Sequence, residues 1–154
     1  MTISIPSSLT GTAQTGLTTP GYTLTQDSID TNAKQSAVTA LTGTQTGVTA
    51  HSVSSPFVLS VWKPKQMAVL GKPNPVTGLI SNVPTNQYKV ITVKGVTPQA
   101  GQPFKNMVIR TTIDVPAGAD TADPANIRAA LSAHFGLLSA QSAGIGDTTV
   151  NGLL

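Results

Sequence analysis

Apolar and polar residues alternate in a way that predicts β-strands through the middle of the chain. Residues 57–62, Phe-Val-Leu-Ser-Val-Trp, form a β-prone run that ends at Lys-Pro-Lys, where proline cannot donate a ladder hydrogen bond. Residues 88–96 and 104–115 each alternate with a period of two, and a turn rich in Gly and Pro separates them. We therefore expect a hairpin there, and a short additional strand over residues 77–83.

The hydrophobic period changes after Pro116. Asp123 followed by Pro124 is typical of a helix start, with aspartate as the N-cap and proline in the first turn. Apolar residues then recur at spacings of three and four, which predicts an amphipathic helix. Its apolar stripe, expected to provide helix and dimer packing, contains Ile127, Leu131, Phe135 and Leu138. A second helix is expected over about residues 142–150.

Strands followed by helices predict an α+β fold. We expect an N-terminal β-hairpin, an antiparallel sheet of about five strands, and two C-terminal helices packed on one face of the sheet. The 154 residues suit a single domain. Within it, residues 1–55 form the hairpin and first strands, 56–116 the main sheet strands, and 120–154 the helices.

Composition narrows the classes of protein that this chain can belong to. Only 10% of the residues are charged, which suits a β-rich surface that meets other subunits. Absence of cysteine excludes disulfides and thiolate sites. The N-terminal residues lack the pattern of a secretory signal, and no apolar run approaches the length of a membrane span, so no membrane partner is expected.

The charge distribution is strongly one-sided. No acidic residue lies between Asp30 and Asp114, whereas seven lysines and Arg110 do, so the net charge of +3 conceals a basic central segment. A segment of one sign favours a polyanionic partner, because no neighbouring carboxylate competes with phosphate. The alternative is a solvated lysine-bearing surface.

If the two long strands pair with their polar sides on one face, they form a flat cationic platform suited to nucleic acid. Lys94 and Arg110 would contact phosphate, hydroxyl and amide groups would contact bases or sugars, and an aromatic ring would stack on a base. For Trp62, core packing is the first interpretation and stacking the alternative. The predicted nucleic-acid-binding residues are Ser60, Lys63, Tyr88, Thr92, Lys94, Asn106, Arg110 and Thr112.

Signals for catalysis or for a cofactor are scarce. His51 has no acidic neighbour in the sequence, and His134 lies on the apolar stripe of the predicted helix, where a packing role is favoured. Turn formation and N-capping explain the aspartates better than a metal site does. We therefore expect no enzyme activity, no metal and no cofactor.

The order of elements and several local segments resemble the coat protein of single-stranded RNA bacteriophages of the levivirus type. Residues 133–138, Ala-His-Phe-Gly-Leu-Leu, are similar to the first-helix pattern of that family, and residues 145–152 to its closing helix. The strand containing Thr92 and Lys94 resembles the one in which a threonine and a lysine contact the RNA operator hairpin. Ser60 matches a serine of the adjacent strand. The resemblance covers roughly residues 57–154.

The resemblance implies a structural capsid protein of the virion, made in the cytoplasm of a bacterial host. Obligate, intertwined homodimers would pair their edge strands and assemble into an icosahedral shell, with the inner sheet face on genomic RNA or an operator hairpin. The turn between the last two strands, with Pro98, Gln99 and Gly101, would line the symmetry axes. Two alternatives stay open: a surface or pilus-like bacterial β-domain, and an RNA-binding dimer that forms no shell.

Overall fold

Six antiparallel strands form one sheet in which each strand pairs with the next along the chain. The computed structural model describes residues 3–154, and their side chains except those of Ser28 and Ile29. The strands are β1 (Ser8–Thr10), β2 (Gly21–Asp30), β3 (Ala33–Thr42), β4 (Phe57–Trp62), β5 (Thr85–Val96) and β6 (Lys105–Pro116). The α+β prediction is confirmed, with six strands where about five were expected.

The predicted additional strand over residues 77–83 is wrong. The described residues between β4 and β5 form a long connection without a strand. The side-chain oxygen of Asn74 accepts hydrogen bonds from the backbone N–H groups of Val76 (2.8 Å) and Thr77 (3.3 Å). The N–H of Gly78 donates to the Asn74 carbonyl. This local turn uses the donors that a strand would need, and a proline on either side reinforces it.

Strand pairing defines two faces of the sheet, because directly paired residues point to the same side. We call one the apolar face. It carries Phe57, Leu59, Val61, Tyr88, Val90, Thr92, Lys94, Met107, Ile109 and Ile113. The other is the polar face, and it carries Val58, Ser60, Trp62, Gln87, Lys89, Ile91, Val93, Asn106, Val108, Arg110, Thr112 and Asp114.

The buried core of the single chain is small and lies over the first half of the sheet. Val38 is fully buried and pairs with Leu24, which is also buried. The Tyr22 ring meets Phe57 edge to face at 5.6 Å between centroids. Toward β6 the apolar face lacks such cover, and Ile109 is 54% exposed. A large apolar area is therefore left without a partner within the described chain.

Three helices follow the sheet: α1 (Ala119–Ala122), α2 (Pro124–Ala140) and α3 (Ser142–Asn151). The predicted start of α2 is confirmed, since the Asp123 side chain accepts from the backbone N–H of Asn126 at 3.3 Å and Pro124 begins the helix. The hydroxyl of Ser142 donates to the Ala13 carbonyl, and the hydroxyl of Thr15 donates to Asp147. These bonds tie α3 to the loop between β1 and β2.

Within one chain, none of the three helices has a buried residue. The stripe predicted for α2 is uncovered, with Phe135 46% and Leu138 37% exposed. Helix α2 lies beside α1 and α3. Packing of the helices on a sheet, as expected, therefore requires a surface that a single copy does not provide.

The loop from residue 43 to 56 generates a stability prediction, because it contains two glycines in the left-handed region. Gly43 has φ 77° and Gly47 has φ 83°. A Cβ at Gly43 would collide with the Thr19 carbonyl oxygen, whereas one at Gly47 would have nothing within 4 Å. Both alanine variants carry about 1–2 kcal/mol of backbone strain. Gly43→Ala must also displace the loop between β1 and β2, which contains Thr19.

We expect Gly43→Ala to destabilise the protein by clearly more than Gly47→Ala. Urea unfolding at one protein concentration measures the difference in free energy of unfolding. Equal losses for the two variants would contradict the close approach at Gly43.

Candidate nucleic-acid interface

The predicted platform is divided between the two faces of the sheet. Thr92 pairs with Ile109 and Lys94 with Met107, so both lie on the apolar face, whereas Arg110 pairs with Ile91 on the polar face. Even-numbered residues of β5 thus pair with odd-numbered residues of β6. The sequence-based register was wrong by one residue, which moves every side chain of one strand to the other face.

Lys94 is held within the chain. Its ammonium group donates to the Thr49 carbonyl at 3.0 Å, to the Thr49 hydroxyl at 2.9 Å and to the Ser55 hydroxyl at 3.4 Å. It also lies 5.1 Å from the centroid of the Phe57 ring. Desolvation by burial lowers the pKa of Lys94 below its usual value. Through these contacts, Lys94 holds the loop that precedes β4 against β5.

Tyr88 and Thr92 share the apolar face with Lys94. The Tyr88 hydroxyl donates to the sulfur of Met67 at 3.7 Å. Next to it, the buried Asn86 side chain bonds both the N–H and the carbonyl of Ala68, at 2.7 and 3.3 Å. The connection between β4 and β5 therefore lies across this end of the face. Tyr88 is not placed to stack a base beside Arg110.

The polar face brings together the remaining predicted residues of the last strand. Arg110, Asn106 and Thr112 alternate along β6 and are all exposed. Thr112 pairs with Lys89, which in turn pairs with Trp62 on β4. Lys89 was missed by sequence reasoning. Only the strand register could have identified it, because it lies on the side of β5 that the alternation assigned to the core.

Ser60 is part of this face, but its hydroxyl is already engaged. The side chain is 6% exposed, accepts from the Trp62 indole N–H at 2.9 Å, and donates to the Ile91 carbonyl at 3.5 Å. Trp62 itself is 38% exposed and is therefore not a fully buried core residue. Ser60 thus positions the indole ring. At the end of β4, the N–H of Lys63 donates to the Asn32 carbonyl at 2.9 Å.

The polar face is not free of carboxylates, contrary to the sequence-based expectation. Asp27 accepts a hydrogen bond from the Gln35 side chain at 2.7 Å, and Asp114 accepts one from Gln87 at 2.9 Å. Asp30 lies in the same row as Trp62, two strands away. The acids stand at the borders, on β2 and near the end of β6. Lys89 and Arg110 lie between them.

The other predicted residues occupy the tip of the sheet and helix α2. Pro98, Gln99 and Gly101 are exposed in the turn between β5 and β6, where Gly101 has φ 79° and the Gln102 N–H donates to Gln99. On α2, the four residues of the predicted stripe lie on one side of the helix. Ile127 and Leu131 are half-buried, and Phe135 and Leu138 are exposed.

The histidines have structural surroundings. His51 accepts the Phe57 backbone N–H on its Nδ1 at 3.0 Å, and His134 is exposed with its ring 5.7 Å from that of Phe135. Residues 3–154 contain no group of three or more His, Cys, Asp and Glu side chains arranged for a metal ion. None of the helices described here is long and apolar enough to cross a membrane.

Comparison with solved structures finds closely similar chains among known proteins. The chain shares 52% sequence identity and a TM-score of 0.95 with the protein of the virus-like particle of bacteriophage ESE020, and the match covers 99% of this chain and 100% of that one. The virus-like particle of Beihai levi-like virus 32 matches at 17% identity and a TM-score of 0.48, over 86% and 88% of the two chains. No family model and no curated protein matches the chain.

The contacts of Lys94 generate a second prediction. Lys94→Ala removes hydrogen bonds from a charged donor and frees the loop that it holds, so we expect a loss of about 1–3 kcal/mol in the free energy of unfolding. The control is Lys72→Ala, which removes the same charge from an exposed loop position. Chemical denaturation compares the two variants. Equal free energies of unfolding for Lys94→Ala and Lys72→Ala would contradict the role of Lys94 in holding this loop.

Proposed function

We propose that this protein binds RNA through its polar face and pairs with a second copy through β6. The chain belongs to the coat proteins of levivirus-type single-stranded RNA bacteriophages and is a structural capsid protein of the virion. The observation that carries the proposal is the pair of uncovered apolar surfaces, on the sheet and on α2, within one chain. The shell is then built from dimers in which each subunit covers the other.

Strand β6 supports pairing between subunits because it is the last strand of the sheet and is 12 residues long. A long edge strand presents unpaired backbone N–H and C=O groups that readily pair with another chain. Two copies of β6 related by a two-fold axis would pair in antiparallel fashion and join the two sheets. Such pairing removes the exposed edge of both subunits.

The apolar surfaces favour an intertwined arrangement. Met107 and Ile109 are 41% and 54% exposed on the apolar face of β6, and Phe135 is 46% exposed on α2. The helix follows β6 in the chain and has no buried residue of its own. If α2 of each subunit crosses the two-fold axis, it covers the partner's apolar face, and each Å² of apolar surface removed from water contributes about 25 cal/mol. The dimer is then obligate.

With its apolar face covered by helices, each subunit has the polar face left for RNA. Arg110 and Lys89 supply cations for phosphate, and Asn106 and Thr112 supply hydrogen-bonding groups for bases or sugars. Arg110 lies near the middle of β6, so symmetric pairing of two β6 strands places both copies close to the axis. The cationic patches of two subunits would thus merge on the inner side of the shell.

The turn between β5 and β6 suits contacts around the symmetry axes of an icosahedral shell. Its residues 97–104 are exposed and project beyond the paired strands. Because Gly101 already adopts a positive φ, the turn reaches this conformation without a side-chain clash. We also infer that the protein is not an enzyme, because the solved structure that it resembles at 52% identity is that of a virus-like particle.

Expression of the chain alone tests the assembly. We expect uniform particles that contain host RNA, seen by electron microscopy and size exclusion. Phe135→Asp should prevent dimers and particles, because it removes a large apolar contact and places an unpaired charge in the interface. Ala129→Asp is the matched control, since this exposed residue lies on the other side of α2. Normal dimers of Phe135→Asp would contradict the role of the stripe.

The RNA interface is tested by salt dependence. We expect Lys89→Ala with Arg110→Ala to weaken RNA binding and to reduce the slope of log affinity against log salt concentration by roughly 0.7 per lost phosphate contact. The dimer should remain intact. Lys72→Ala removes a charge outside the polar face and serves as the control. An unchanged slope in the double variant would rule out the polar face as the RNA-binding surface.

A further inference from the structure

A depression at one end of the polar face has the features of a site for a single unpaired nucleotide. It has a volume of about 530 Å³, within the roughly 300–1,000 Å³ range typical of small-molecule sites. Trp62 and Ile91 provide apolar surface, Thr85 and Gln87 are polar, and Lys63 and Lys89 are cationic; these residues line it together with Pro64. It is formed by β4, β5 and the residues that follow β4, and its lining residue Ile91 pairs with Arg110 of β6.

Trp62 is the only tryptophan of the chain, and it is held in a defined orientation. Its indole N–H donates to the Ser60 hydroxyl at 2.9 Å, and that hydroxyl is itself buried and bonded to the Ile91 carbonyl. The ring is nevertheless 38% exposed. A fixed and partly exposed indole is a stacking platform that loses little conformational entropy when a base packs on it.

The cations around the ring are suited to the backbone of the same nucleotide. Lys89 is the direct cross-strand partner of Trp62, and Lys63 follows Trp62 in the chain. Cross-strand neighbours lie about 5 Å apart at their Cβ atoms, so an ammonium group can reach a phosphate attached to a base on the indole. Two acids border the depression: Asp114 accepts a hydrogen bond from Gln87, and Asp30, two strands from Trp62 in the same row, accepts one from the Asn32 backbone N–H.

We propose that this depression binds one unpaired nucleotide of single-stranded RNA, with its base stacked on Trp62 and its phosphates near Lys89 and Lys63. The proposal rests on the proposed RNA-binding function of the polar face and adds a defined subsite to it. Because the indole N–H is already bonded to Ser60, the ring offers only its π-surface to a base. Recognition at this position is therefore tolerant of base identity.

Fluorescence of the full chain, purified free of nucleic acid, tests the subsite directly because Trp62 is the only indole. We expect single-stranded eight-nucleotide oligoadenylate and oligouridylate both to quench its emission in a saturable manner and to protect it from acrylamide. A fully paired RNA duplex of equal length should cause little quenching. An abasic oligoribose-phosphate is the matched probe, and it should bind the cations without quenching Trp62.

Two substitutions separate stacking from simple apolar packing. Filter binding should show that Trp62→Leu lowers affinity for the octamers by roughly 5- to 150-fold, the range for loss of one base–aromatic stack. Trp62→Phe should retain most of the affinity, because it keeps an aromatic face. Circular dichroism and size exclusion establish that each variant keeps the fold and the oligomeric state of the unmodified protein.

The outcomes distinguish this subsite from the proposed function. If the octamers bind and Lys89→Ala with Arg110→Ala weakens them, but Trp62 emission and Trp62→Leu affinity are unchanged, the subsite is refuted while the RNA-binding face stands. If the octamers do not bind at all, both the proposed RNA-binding function and the subsite are refuted. If Trp62→Leu and Trp62→Phe weaken binding equally, the stacking role is overturned.

Discussion

The register between β5 and β6 is the constraint on which the rest of the structure depends. Side chains alternate along a strand, so the parity of the pairing decides which residues of two strands share a face. Here Thr92 pairs with Ile109 and Ile91 pairs with Arg110. This parity places Met107, Ile109 and Ile113 of β6 on the side where Lys94 is held internally, and Arg110 on the side with Lys89. A shift of one residue would place Arg110 on the face of Lys94, and Met107, Ile109 and Ile113 on the face of Lys89.

The same register explains why a single chain leaves a defined apolar surface uncovered. Its buried residues, such as Val38 and Leu24, stabilise the first half of the sheet, whereas Ile109 on the last strand is left half-exposed. Helix α2, whose apolar stripe contains no fully buried residue, follows in the chain after the short helix α1. Neither surface can cover the other within one copy at their present positions, and both lie at the edge where a second copy would join. In the proposed dimer, folding and assembly are therefore parts of one burial process.

Local signals in the sequence were sufficient for most elements of the fold. β4 has the predicted bounds, and the aspartate and proline at the start of α2 act as expected, because the cause of each lies within a few residues. The prediction of an additional strand over residues 77–83 failed because Asn74 forms a turn that the alternation pattern does not reveal. The prediction of a single cationic platform failed for a different reason. Register is set by long-range pairing, and a period-two pattern predicts alternation without indicating which side of one strand meets which side of the next.

Charge shows why burial and contacts must be known before a cation is assigned a function. In sequence, the lysines between Asp30 and Asp114 look equivalent, and together they predict a basic field. In the structure, the ammonium of Lys94 is bonded to Thr49 and Ser55, while the exposed Arg110 lies on the opposite side. A cation that already has partners must lose them before it contacts a phosphate, so it contributes little to RNA affinity. What distinguishes the polar face is therefore not its total charge, since acids border it. It is the position of Lys89 and Arg110 between those borders, beside an indole whose only donor is satisfied by Ser60.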